Sequence, residues 1–297
     1  MKKAFTFIEM IFVIVIMGIL AKFGSEIFRN VYMNYTMSVT NNKLQTDTED
    51  TIQQIANRLQ YRIKDSVIAR DATTFNPISD LNGSKTYTVL EWVGYDIDGW
   101  LGDGTGTTPT WSGFIDVDDF VNANVNTLVS PASDFSTGGR VDTVIQALST
   151  STIEDAAIFF TGANTDARTD YGWDTAYAYD QSDTAAHRIT SAVANRIAPT
   201  AGDDFSGVDV YEQYKLAWTA YALELSADGN LTLYYDYQPW RGESYSNASP
   251  ALLMQNVETF KFQAVGDIIK LQVCVSDEDI TGEGDGGYSI CKEKAVF

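Results

Sequence analysis

Few residues in this chain of 297 have the type and spacing to do chemistry. His187, in "TAAHRIT", is the single histidine, with no Gly-x-Ser-x-Gly or His-Glu-x-x-His context around it. A Ser-His-Asp triad or a histidine-rich zinc site would have to use it alone, so it reads as an ordinary surface or packed residue. Two cysteines, Cys274 and Cys291, lie near the C-terminus. In an oxidising compartment they read as one disulfide, closing a loop worth about 3 kcal/mol; two free thiols are the alternative, and zinc lacks a nearby histidine. Two loops are dense in oxygen ligands: "DIDGWLGDGTG", with Asp96, Asp98 and Asp103, and "SDEDITGEGDGGYSI", with Asp277, Asp279, Glu283 and Asp285. Calcium wants several oxygens, and glycines let carbonyls turn inward, so these are the candidate calcium loops. Neither has EF-hand spacing, since Trp100 stands where a ligand is required. In a chain with 40 acidic residues such loops also arise as solvated surface. No nucleophile–base pair or complete metal motif emerges, so an enzyme is not expected.

The remaining chemical residue is Glu9, and its setting is the least ordinary. In "KKAFTFIEMIFVIVIMGILAKFG" the run from Phe5 to Ala21 is apolar except for Thr6 and Glu9. A charge at bilayer depth costs roughly 2.5–3.5 kcal/mol on insertion scales, so it calls for a partner. A secretory signal would share the basic start, Lys2 and Lys3, but would keep its apolar core clean and end in a small-x-small site. A plain anchor of roughly 25 Å nearly spans a bilayer of about 30 Å, yet leaves Glu9 unexplained unless it snorkels to the interface.

The junction Lys2-Lys3-Ala4, then Phe5-Thr6-Phe7-Ile8-Glu9, resembles the leader junction of the type IV pilin superfamily. The resemblance implies a prepilin peptidase that cuts between Ala4 and Phe5 and methylates the new amine of Phe5. It makes Glu9 the residue that answers the amine of a neighbouring subunit when the filament assembles, a buried charge used to set register. Ala4 stands where the family usually carries glycine.

The elements that must carry these residues emerge from pattern. Hydrophobic content of 44% supports a packed core in one large or two ordinary domains. A net charge of −20 repels phosphate backbones, so nucleic acid is not an expected partner. Lys2 and Lys3 place the N-terminus in the cytoplasm and the chain beyond Lys22 in the periplasm, a single pass through a bacterial inner membrane. No proline precedes Pro77, and Ile52, Ile55, Leu59, Ile63 and Val67 step at helical spacing, with Asn41-Asn42 as a weak point. The reading is a leader at 1–4, a transmembrane or filament-core helix at 5–24 and its amphipathic continuation at 25–70. An enlarged, partly β insert at 71–214 comes next, then an antiparallel sheet at 215–297. Strands are expected in "KTYTVLEWVGYDI" and "AAIFFTG", and a hairpin around Asp228-Gly229-Asn230. Val257, Phe260, Phe262, Ile269, Leu271, Val273 and Val275 alternate as strand residues, and "YSICKEKAVF" closes the sheet.

The expected fold is therefore α+β, a long helix packed on an antiparallel sheet head. This order resembles the J-type minor pseudopilin of type II secretion and the W-type minor pilin of type IV pili. That implies a minor subunit near a filament tip, with other pilin subunits, an inner-membrane assembly platform and, before assembly, membrane lipid as partners. No cofactor is required, with calcium open at the acidic loops. The alternative from another class is a membrane-anchored periplasmic binding protein or adhesin that never enters a filament.

Overall fold

The computed structural model describes residues 6–72, 74–81, 87–102, 108–119, 126–174, 176–277 and 288–297, without the side chains of residues 277 and 288. A single helix, α1 (Phe7–Gln60), takes up the first fifth of the molecule. At about 1.5 Å per residue it is roughly 80 Å long, far more than a bilayer needs. Its side chains are exposed from Phe7 to Val39, apart from a half-buried Met37. Only Thr48, Thr51, Ile52, Ile55, Ala56 and Leu59 are buried, a stripe at helical spacing that packs on the head.

The helical continuation expected to residue 70 stops at Gln60. Tyr61 caps the helix, and the buried Arg62 guanidinium donates to three carbonyls: Leu59 (2.9 Å), Asp267 (2.6 Å) and Phe297 (3.3 Å). Those bonds join the helix end to the C-terminal sheet. Ile63 and Val67 are still buried, flanking a 3-10 turn (Lys64–Ser66) that leads into a strand. Their spacing matched a helix, but the burial is met by another geometry.

The chain then forms β1 (Ile68–Arg70), β2 (Phe75–Pro77), β3 (Val89–Gly94) and the short α2 (Ile97–Leu101). Next come β4 (Leu128–Val129), α3 (Arg140–Leu148), β5 (Ala157–Phe160), β6 (His187–Thr190), β7 (Arg196–Pro199) and β8 (Tyr214–Ala217). The last part holds β9 (Thr219–Leu225), β10 (Leu231–Tyr237), β11 (Ser249–Met254), β12 (Val257–Val265), β13 (Ile268–Asp277) and β14 (Tyr288–Val296). A central six-stranded antiparallel sheet has the order β11-β10-β9-β3-β1-β2. A three-stranded sheet runs β12-β13-β14, and a five-stranded head sheet runs β4-β7-β6-β5-β8.

The sheets cut across the ranges 71–214 and 215–297. The strands β2 and β3 lie inside the first range yet belong to the central sheet, paired through β3 to β9 from the second. Residues 215–297 are shared among three sheets. The α+β architecture and the antiparallel pairing are as expected.

Three cores arise from the layers. One face of the central sheet meets the C-terminal part of α1 and the three-stranded sheet around Ile55, Leu59, Trp92, Leu223, Leu271 and Val273. Its other face packs against β5 and the segment around Tyr171, Trp173 and Ala186. The head core gathers Trp111, Phe135, Ile145, Ile158, Leu216 and Trp218. The hairpin expected at Asp228-Gly229-Asn230 joins β9 to β10. There Ser226 donates its N–H to the Asn230 carbonyl (3.0 Å), and Gly229 adopts φ 74°, the left-handed region a tight turn favours.

Candidate functional site

At the N-terminal end of α1, Thr6 is extended and Glu9 lies in the first turn. The Glu9 carboxylate turns back and accepts from the Thr6 N–H (3.4 Å) and the Thr6 hydroxyl (3.3 Å). This is half of a capping box, a negative charge at the positive end of the helix. Helical geometry sets the direction, since Glu9 in the first turn lies beneath the Thr6 backbone. Ala4 and Phe5, the expected junction, lie outside the described residues. Along the rest of the run Phe7, Met10, Phe12, Ile14 and Met17 all point into open space. The helix is long and apolar enough to cross a membrane, and none of that apolar window is buried by the protein.

The two cysteines do form a disulfide, Cys274–Cys291. They sit directly opposite each other on β13 and β14, with Cα atoms 4.1 Å apart. Ladder pairs continue on both sides, from Ile269↔Val296 to Asp277↔Tyr288, so the bridge pins a register that the strands already share. Cys274 is buried and Cys291 exposed, on the face turned away from α1.

Of the candidate calcium ligands in the two acidic loops, the structure describes the side chains of Asp96 and Asp98. Asp96 is buried and caps α2, with one carboxylate oxygen accepting from the Gly99 N–H (3.0 Å) and the Trp218 indole (3.3 Å). The other oxygen accepts from the Trp111 indole (3.0 Å). Gly99 is required by this close approach, because a Cβ there would meet the Asp96 carboxylate at 2.0 Å. Burial pushes the Asp96 carboxyl above its ordinary value, although all three donors favour the ionised form. Asp98 is exposed on α2. Asp103, Asp279 and Asp285 lie outside the described residues, as does the Asp277 side chain. Among the described residues no cluster of three or more His, Cys, Asp or Glu is arranged to hold a metal ion.

Sequence reasoning missed a second buried carboxylate. Glu91 on β3 is paired with Arg70 of β1 and accepts from the Tyr237 hydroxyl of β10 (3.1 Å). Arg70 also donates to the Trp173 carbonyl (2.7 Å) and lies over the Phe75 ring. The signal available was faint: one acid inside the apolar run "VLEWVG".

His187 is buried on β6, near Phe160 and Phe205, with Nδ1 3.2 Å from the Gln181 carbonyl. Burial lowers its pKa from 6.5 to about 4. The folded state therefore binds fewer protons than the unfolded one between these values, and stability falls as pH drops through that window. His187→Phe should remove this slope. Wild type should lose about 3 kcal/mol relative to the variant between pH 6.5 and pH 4, and nothing above pH 7, in urea titrations at each pH. Buried Glu91 and Asp96 have raised values and act in the opposite sense, so the difference between the two proteins isolates the histidine. Parallel stability–pH curves would refute the assignment.

Fold and site together define an α+β protein with a disulfide-pinned sheet and one exposed apolar N-terminal helix of membrane-spanning length. No protein-family model, curated protein or solved structure matches the chain.

Proposed function

We propose that the chain is a type IV pilin-like minor subunit, a structural component of a type II secretion or type IV pilus filament. A prepilin peptidase removes residues 1–4 and methylates Phe5, and the head stands in the periplasm while α1 waits in the inner membrane. An assembly platform then transfers α1 from lipid into contact with other subunits. The observation that carries this reading is the Glu9 carboxylate, on the first turn of a helix whose run from Phe7 to Ala21 is otherwise apolar and exposed, and aimed back at its N-terminal end.

The energetic logic is an exchange. In lipid, among the described residues, only Thr6 satisfies the carboxylate, a partial answer to a charge that costs several kcal/mol at depth. Cleavage before Phe5 frees an amine, and a neighbouring subunit's amine offers a full countercharge. Helix packing replaces lipid around the remaining side chains. The role uses no cofactor and no covalent step performed by this chain.

Two measurements test it. The mass of the N-terminal peptide from native membranes should correspond to N-methylated Phe5, whereas a chain retaining Met1 fits the anchored binding protein or adhesin instead. Glu9→Ala should leave membrane insertion and the Cys274–Cys291 bond intact yet sharply reduce crosslinking into filaments. Wild-type incorporation by that variant sinks the assembly role.

A further inference from the structure

A cleft of about 600 Å³ opens where the layers meet. Its walls are the 3-10 turn that follows α1, the turn after β2, the head loop at 164–170 and the tip of the β12–β13 hairpin. Val67, Ile78 and Ile269 make an apolar floor, each less than a tenth exposed. A space of that order on an apolar floor suits a small organic ligand.

The rim sets the charge of that ligand. Among the described residues three cations line it, and each is already engaged. Arg62 donates to its three carbonyls, Lys64 pairs with Asp267 (2.9 Å), and Arg168 pairs with Asp80 and stands 3.9 Å from Asp166. Two lining carboxylates are left over. Asp65 on the α1 side and Asp170 on the head side have no ion pair among the described residues. Asp65 is exposed, and Asp170 accepts from the Thr169 hydroxyl and the Asp166 N–H. Lys215 acts on Asp65 from a distance, its ammonium being held over the Tyr95 ring (4.5 Å). The two acids face one space. Both act on the buried Tyr171 hydroxyl, which is bonded to Thr165 of the same lining (3.1 Å) and whose pKa is raised first by burial and then by them.

We infer that the cleft binds an aliphatic diamine, one ammonium meeting Asp65 and the other Asp170, with the methylenes along Val67, Ile78 and Ile269. A metal ion is a poorer occupant, because among the described residues no three acids are arranged to hold one and an apolar floor offers it no oxygen. An anion finds no unengaged cation among the lining residues. A monoamine leaves one carboxylate unanswered. The net charge of −20 draws cations to the whole surface, so the specific signal is the length of the chain between the charges. The site lies on the head and stands whether or not the N-terminus is trimmed.

Calorimetric titration of the detergent-solubilised full-length chain at fixed ionic strength tests this. The probes are the series from diaminopropane to diaminooctane, pentylamine, and calcium chloride. Affinity should peak at one chain length and exceed that of pentylamine by about fivefold or more, the weight of one further ion pair near a surface. Asp65→Asn should weaken the best diamine by about the same factor. Asp118→Asn, which alters an exposed acid outside the cleft, should leave it unchanged. Asn164→Lys puts a tethered ammonium at the rim and should also weaken the diamine, with the unfolding temperature of the head preserved. Equal affinity at every chain length, an equal value for pentylamine, or the same loss from Asp118→Asn overturns the inference and leaves only diffuse attraction to an acidic surface. Calcium binding that Asp65→Asn abolishes overturns it in favour of a metal site.

Discussion

Arg70→Met should destabilise the protein by about 3–5 kcal/mol at pH 7, the range for removing one member of a buried ion pair. Glu91 is 1% exposed, and Arg70 is the only cation bonded to its carboxylate among the described residues. Burial raises the Glu91 pKa and Arg70 opposes that rise. Without the guanidinium the carboxylate keeps, among the described residues, only the Tyr237 hydroxyl, and the Trp173 carbonyl loses the Arg70 donor. The sign of the pH dependence is set by the same burial. A carboxyl whose folded pKa is raised further binds more protons in the native state, so stability falls as pH rises from about 4.5 through the new value. The loss is therefore largest at neutral pH and shrinks toward pH 5. Urea titration of the detergent-solubilised full-length chain at both pH values reads it. A second variant separates charge from packing: Arg70→Met with Glu91→Gln removes both charges and keeps a partner for Tyr237, so it should be more stable than Arg70→Met alone. If the double variant loses the sum of the two single losses, the pair is not coupled and the buried-charge account fails.

That pair also shows where sequence reading ends. The elements most legible in the sequence were those whose signal is local. The strands β12 and β13 follow from the alternation of Val257, Phe260, Leu271 and Val273, and the hairpin turn from Asp228-Gly229-Asn230, because strand period and turn chemistry are read within a few residues. The disulfide follows from two cysteines and an expected compartment. The hidden features depend on distant partners. Glu91 finds Arg70 at 21 positions and Tyr237 at 146, so nothing near "VLEWVG" says whether its acid is solvated, catalytic or paired. The end of α1 was hidden for another reason: Ile63 and Val67 are buried as the helical period required, but as the two caps of a 3-10 turn they are buried just as well. The central sheet draws β1–β3 and β9–β11 from segments more than a hundred residues apart, so the strand expected in "KTYTVLEWVGYDI" could be read without its partner β9.

Asp96 is the sharpest instance, because a glycine-rich acidic loop invites a metal reading and the structure gives the carboxylate protein donors. Asp96→Ala should cost about 4 kcal/mol, since it strands three buried donors, the Gly99 N–H and the Trp111 and Trp218 indoles, each worth about 1–3 kcal/mol when unpaired. The damage should reach beyond α2. Trp218 belongs to the head core and adjoins β9 of the central sheet, so the aspartate helps join two layers 122 residues apart in sequence. Asp96→Asn keeps one accepting oxygen and should lose about half as much at pH 7. Its deficit should widen as pH falls toward 3.8, because the wild-type carboxyl, raised by burial, takes up its proton earlier than in the unfolded chain and gains stability that asparagine cannot. Tryptophan emission supplies an independent reading. Both indoles should shift in Asp96→Ala, and calcium added to wild type should leave them unmoved, since both Asp96 oxygens already accept from buried protein donors. A loss below about 1 kcal/mol in Asp96→Ala would mean that water serves the three donors as well as the carboxylate does. A calcium-dependent emission change abolished by that substitution would mean that the loop is a cation site after all.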